Sequence, residues 1–300
     1  MTLSPVLSSL QSCGVFLKLG RVSNLPTIWT NTLAALVLTG EDFTTLTFVL
    51  LLALMSLFYI GGMYLNDAFD AKVDEIERPD RPIPSGAISV FAVFILGFAM
   101  LGLGILGLTV TSRFISSDVG YAPFLAGSGL ATVIVLYNYY HKSNPISPIV
   151  MGLCRAQVFI SVACVMTQAI PIPISIGAAL MLCYVIGLTY AAKQESLNKI
   201  GSLWPLGILI VPIIWSIHAS LLAFLVLPFL IIFVVWVAFA LRRLLRRDPG
   251  DIPKAVSELI TGISLLDAIL IASTGHLPFA IAAIAGFIAT LLLQRIIPGT

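Results

Sequence analysis

The sequence predicts an all-α fold, a polytopic bundle of nine to ten transmembrane helices, on three observations. Of 300 residues, 59% are hydrophobic and only 10% charged, with a mean hydropathy of +1.05; a soluble domain carries about 25% charged residues. Apolar stretches near the roughly 20 residues needed to cross a bilayer recur along the whole chain. Lysine and arginine gather on alternate connections, as positive charge does on the inner side of a membrane. Continuous runs of this length exclude barrel strands. No charged tail or Gly/Ser-rich linker divides the chain, so 1–300 reads as one integral-membrane domain. The net charge of +2 points to no nucleic-acid partner.

The elements follow in order. The opening stretch has no basic n-region and no long apolar core, so it does not read as a cleaved signal peptide. Leu7, Leu10, Phe16 and Leu17 suit a short interfacial helix facing membrane lipid. Spans are expected at 22–40, 44–66, 88–110, 121–140, 147–167, 171–192, 203–217, 219–241, 256–274 and 277–294. The seventh is borderline for crossing. With both termini cytoplasmic, 14 of the 16 basic residues fall inside, Arg113 alone falls outside, and Arg155 lies within a span. A miscounted helix would flip every later loop and destroy this asymmetry. The long connections, 67–87, 193–202 and 242–255, are then all cytoplasmic, and chemistry is expected there. The Arg242–Arg247 cluster reads as an anchor on anionic headgroups. The four cysteines form no CxxC pair and read as small buried apolar residues.

The stretch "YLNDAFDAKVDEIERPDRPIPSG", residues 64–86, carries six of the 14 acids. Asp67, Asp70 and Asp74 are spaced i, i+3, i+7 and share one helix face. Their mutual repulsion, at a helix C-terminus whose dipole also disfavours negative charge, needs an offset. Mg²⁺ provides one, taking one or two carboxylates with phosphate oxygens and waters. The alternative is a solvated loop whose acids pair with Lys72, Arg78 and Arg81. Prolines 79, 82 and 84 end the helix and stiffen the return. Arg78 and Arg81 suit carboxylates or a diphosphate.

The string "NDAFDAKVDEIERPDRPIPSG" resembles the first aspartate-rich signature of the UbiA superfamily of intramembrane prenyltransferases. "GRVSNLPTIWTNTLAAL" resembles that family's first helix at Arg21, Pro26 and Asn31. "LYNYYHKSNPISPIVMGLCRA" resembles its fourth-helix segment at Tyr137, Lys142, Gly152 and Arg155. The resemblance covers roughly residues 15–275 and makes 277–294 an extra helix. It implies a bundle around a central cavity open to the cytoplasmic side. It implies Mg²⁺ on Asp67, Asp70 and Asp74, with Asn66, Arg78, Arg81, Lys142, Arg155 and Lys193 around the diphosphate of an isoprenoid donor. Asn31, Tyr137, Tyr190 and Glu195 are expected in the substrate cavity, where an aromatic or lipid acceptor meets an allylic cation. Tyr139 and Tyr140 are further candidates for its π faces.

The second aspartate motif of that family is broken here: "GLTYAAKQESLNKIG" holds Lys193 and Leu197 at the two aspartate positions. In one reading Lys193 replaces a metal as a point charge on phosphate. In the other, catalysis is lost and the protein binds or moves a hydrophobic metabolite. A resemblance to the divergent bacterial branch called EboC, which implies a bacterial inner membrane, favours the second at least as much. Asp267 is expected either to pair Arg155 or to hydrogen-bond a neighbouring helix. His141 reads as interfacial.

Overall fold

The structure is a computed structural model that describes residues 14–115, 120–142, 144–167, 169–197 and 204–297, without the side chains of 194–197 and 204. Its helices are α1 (Leu25–Thr39), α2 (Thr45–Glu77), α3 (Val90–Ile115), α4 (Ala122–Tyr140) and α5 (Ser147–Met166). They continue as α6 (Ile172–Leu197), α7 (Ile210–Leu222), α8 (Leu227–Arg246), α9 (Asp251–Ala272) and α10 (Leu277–Gln294). Among the described residues, nine helices are long and apolar enough to cross a membrane. The remaining one, α1, has only 15 residues and is preceded by a 3₁₀ turn, Val22–Asn24. The expected interfacial positions Leu7 and Leu10 lie outside the described residues.

Burial sorts the helices. In α9, 83% of the most apolar window is buried inside the protein, against 17% in α10. Nearly all of α1 is buried as well. α1 and α9 therefore form the centre, and α3, α7 and α10 present most of their apolar surface outward, as lipid-facing helices must.

α2 differs from the sequence expectation: it does not stop at 66 but runs to Glu77. Thr44 caps its start, accepting from the Thr47 amide at 3.1 Å, and no breaker intervenes until Pro79. At 1.5 Å per residue it is about 50 Å long, well beyond a roughly 30 Å hydrocarbon core. Its last three turns carry the aspartates on continuous helix. The rotation of α2 is set where it crosses α3. A Cβ on Gly61 would stand 2.9 Å from the Gly97 carbonyl oxygen, and one on Gly97 would stand 2.8 Å from Leu65 Cγ. Small residues let the two backbones meet there, which turns Asn66, Asp67, Asp70 and Asp74 inward.

The return from α2 to α3 is a compact turn. Ser85 N donates to the Arg81 carbonyl at 3.0 Å, Gly86 sits at φ 76°, and Ile83 is buried. This fold-back carries Arg81 against the acidic face.

Candidate active site

The bundle encloses a cavity of about 580 Å³. Its body is apolar, walled by Met55 and Phe58 of α2, Leu130 of α4, Val158 of α5, Val185 of α6 and Ile263 of α9. Its mouth is polar, formed by Arg21, Arg78 and Arg81 with Asn24, Tyr59 and Asn138. Arg78 is exposed and marks the open end.

Asn66, Asp67, Asp70 and Asp74 are all buried, at 7%, 6%, 8% and 4% exposure. Buried carboxylates need charged or hydrogen-bonding partners, and each has them. Arg21 Nη2 lies 3.2 Å from both Asn66 Oδ1 and Asp67 Oδ1. Arg81 Nη1 lies 3.3 Å from Asp67 Oδ1 and 2.7 Å from Asp74 Oδ2. Lys142 Nζ lies 3.1 Å from Asp70 Oδ1. Asn66 donates to Asn138 Oδ1 at 3.2 Å, and Asn138 donates to the Gly62 carbonyl at 3.0 Å. The aspartates do not themselves line the cavity; they meet it through Arg21 and Arg81, which do.

No three acidic, histidine or cysteine side chains among the described residues converge into a closed metal cage. Mg²⁺ needs no such cage, since it is held by one or two carboxylates together with waters and substrate phosphates. Three buried carboxylates and an amide on one helix face are hard oxygen donors of the right kind, and the residues fit that ion.

Arg155, Arg78, Arg81 and Tyr137 line the cavity. Arg155 donates to the Thr27 hydroxyl at 3.0 Å and to its carbonyl at 3.3 Å, and stands 5.9 Å from the Tyr59 ring centroid. Other positions differ. Asn31 is turned from the cavity: it is fully buried and donates to Asp267 Oδ1 at 3.1 Å, while Thr30 donates to Asp267 Oδ2 at 2.8 Å. Asp267 is thus bonded to the neighbouring helix α1, the second of its two expected roles. Tyr190 is half-buried and not among the described lining residues. Tyr139 and Tyr140 are 64% and 55% exposed and are not among the described lining residues. Lys193 donates to the Asn144 carbonyl at 2.6 Å and is likewise not a lining residue. The side chains of Glu195 and Leu197 lie outside the described residues.

Sequence reasoning passed over four residues. His141, read as interfacial, places Nε2 3.4 Å from Asp70 Oδ2. Its position i+4 from Tyr137, which the sequence places in the cavity, was the available signal. Arg21 was noted only as a family position. Tyr59 and Asn138 sit in apolar runs, and only the helix rotation shows that they face inward.

A model of the UbiA prenyltransferase family matches residues 25–264. The digeranylgeranylglyceryl phosphate synthase of Sulfolobus acidocaldarius is 35% identical over 106 residues, which cover 34% of this chain and only 33% of that relative. A UbiA homologue from Archaeoglobus fulgidus superposes with a TM-score of 0.61 at 16% identity, over 90% of this chain and 99% of the other. A structure of a UbiA homologue from the same organism, bound to GPP and Mg²⁺, superposes at 0.51 and 14% identity, over 94% and 99%. At these identities the structural likeness speaks for the fold alone. The matched stretch contains the aspartate face, the arginine turn and the walls of α4 to α6, and leaves α10 beyond it. This chain is an integral membrane protein that belongs to the UbiA prenyltransferase family.

Proposed function

We propose that the protein transfers a prenyl chain from an isoprenoid diphosphate to an acceptor within the membrane, with Mg²⁺. The observation that carries this reading is the two-ended cavity: an apolar body sized for a hydrocarbon chain, closing on a mouth of arginines backed by buried carboxylates. Asn66, Asp67, Asp70 and Asp74 would hold the ion, which when bound neutralises the departing diphosphate. Arg81 and Arg78 bind its oxygens as planar forks. Arg21 keeps Asp67 and Asn66 in place. The apolar walls of the cavity, by excluding water, would strengthen each of these interactions. The faces of Tyr59 and Tyr137 meet the allylic cation that remains. Of the two acceptor classes, a lipid hydroxyl is favoured, because the S. acidocaldarius relative is named for a glyceryl phosphate product. The mouth is assigned to the cytoplasmic side by the charge asymmetry of the loops.

A second reading is a non-catalytic carrier of prenyl lipids or related metabolites. It is supported by Lys193 in the broken second motif, whose ammonium bonds the Asn144 carbonyl. The EboC resemblance points the same way.

One experiment separates the two. Purified protein in nanodiscs is given isoprenoid diphosphates of increasing length, with and without Mg²⁺, and a glycerol-phosphate lipid as acceptor. Mg²⁺-dependent diphosphate release, abolished in Asp67→Asn and Asp70→Asn, is the expected result. Mg²⁺-dependent binding with no release selects the carrier. Absence of both rejects the prenyl site.

A further inference from the structure

We propose that Gln294, on the peripheral helix α10, is a positioning residue for Arg21. It is the far end of a directed hydrogen-bond relay that runs through Asn24, a cavity-wall residue, to the Arg21 backbone. α10 lies outside the stretch that matches the family, and most of its apolar surface faces outward. At its inner end, however, Gln294 turns toward the cavity wall. Its Nε2 donates to Asn24 Oδ1 at 2.9 Å and to the Ser257 carbonyl at 3.4 Å, and its Oε1 accepts from Thr261 at 3.1 Å. Glutamine bonds of this kind tie membrane helices together, and this one ties α10 to α9 and to the turn before α1.

The relay has a direction because its members have fixed donor and acceptor roles. The Ser257 carbonyl can only accept, so the side of Gln294 that faces it is the amide nitrogen. That nitrogen also faces Asn24, so Asn24 presents its oxygen to Gln294. The Asn24 backbone amide in turn donates to the Arg21 carbonyl at 3.0 Å, and the Tyr59 hydroxyl donates to the same carbonyl at 3.3 Å. Asn24, Tyr59 and Arg21 all line the cavity mouth.

Arg21 needs to be held. Its backbone sits at φ 42°, ψ 47°, in the left-handed region that a non-glycine side chain rarely adopts. Such a conformation persists only where the surroundings impose it. It is this conformation that aims the guanidinium at Asp67 and Asn66. A second contact fixes the distance of α10 itself: Gly286 packs directly on the Thr30 side chain of α1, with no room for a Cβ.

The test reads the Arg21 backbone directly. The amides of Arg21 and Asn24 donate to the Lys18 and Arg21 carbonyls at 3.1 and 3.0 Å. In Gln294→Met, which keeps the volume and removes every directed bond, these amides should exchange with deuterium about tenfold faster than in the wild type, while α4 and α5 are unchanged. Asn24→Leu, which keeps the volume and removes the oxygen that Gln294 holds, should do the same and keeps the idea testable if the first variant folds poorly. The double variant should exchange no faster than the faster single one, because both break one chain. Unchanged exchange at Arg21 in either single variant, or additive effects in the double, overturns the proposal. Affinity for geranyl diphosphate with Mg²⁺ should fall about fivefold in Gln294→Met with melting temperature preserved; this arm alone rests on the proposed function. If the wild type binds no prenyl diphosphate, that function fails, while the exchange result still decides the relay.

Discussion

Among the buried acids of this membrane protein, two groups are satisfied in opposite ways. At the mouth, Asp67, Asp70 and Asp74 are each met by a cation, from Arg21, Arg81 or Lys142. In the core, Asp267 is fully buried and its hydrogen-bond donors among the described residues, Thr30 and Asn31, are neutral. The difference follows from what water can reach. Near the mouth, ionised carboxylates remain affordable when a fork or an ammonium matches them. Deep between α1 and α9 a net charge is costly, and neutral donors suffice to tie two helices together. The first group is therefore suited to exchanging partners with a charged substrate, and the second to fixing the central helix pair.

Arg81 is the place to break the comparison. One nitrogen serves two aspartates, and the same residue lines the cavity. Arg81→Ala removes the cation shared by the mouth and should lower kcat/KM for prenyl transfer about 100-fold, the scale on which preorganised charge acts in a dry site. Arg81→Lys should recover little of it, since an ammonium lacks the planar fork. Activity within threefold of wild type in Arg81→Ala would show that the mouth cations are structural.

Asp267 should respond to polarity but not to charge. Asp267→Leu leaves Thr30 and Asn31 buried without their acceptor and should cost about 1–3 kcal/mol of stability. Asp267→Asn keeps an acceptor for Thr30 and gains an N–H₂. Asn31 Oδ1, buried without a partner among the described residues, can take it after an amide flip, so the substitution should be close to neutral. Thermal melts in detergent or nanodiscs measure both. A loss in Asp267→Asn as large as in Asp267→Leu would mean that the core acid works as a charge.

How far the sequence revealed these two groups depended on distance along the chain. The aspartate face was legible because i, i+3 and i+7 on one helix are local, and Pro79 marks where that helix stops. The arginine turn was legible for the same reason. The role of Asp267 was half legible: a lone acid in an apolar run announces a partner but not which one. Asn31 was misplaced because α1 is buried on nearly every side, so no apolar stripe tells its cavity face from its α9 face. Arg21 and Tyr59 act across separate helices, and such contacts depend on helix rotation, which here is set by the Gly61–Gly97 crossing.

The inner end of α6 sharpens the contrast further, with the smallest expected effect. Where the aspartate end of α2 pairs carboxylates with cations, Lys193 gives its ammonium to a backbone carbonyl, Asn144, in the turn that follows Lys142. A lysine ammonium meets phosphate oxygens as a point charge, so Lys193 can assist a diphosphate without a metal of its own. Lys193→Ala should then weaken binding of a prenyl diphosphate about fivefold, within the range for a hydrogen bond to a charged group. Melting temperature should move little, because the lost bond is at a turn and not in the core. Lys193→Arg should restore most of the affinity. If Lys193→Ala binds as tightly as wild type, the lysine merely fastens the turn, and the charge at the mouth comes from the α2 side alone.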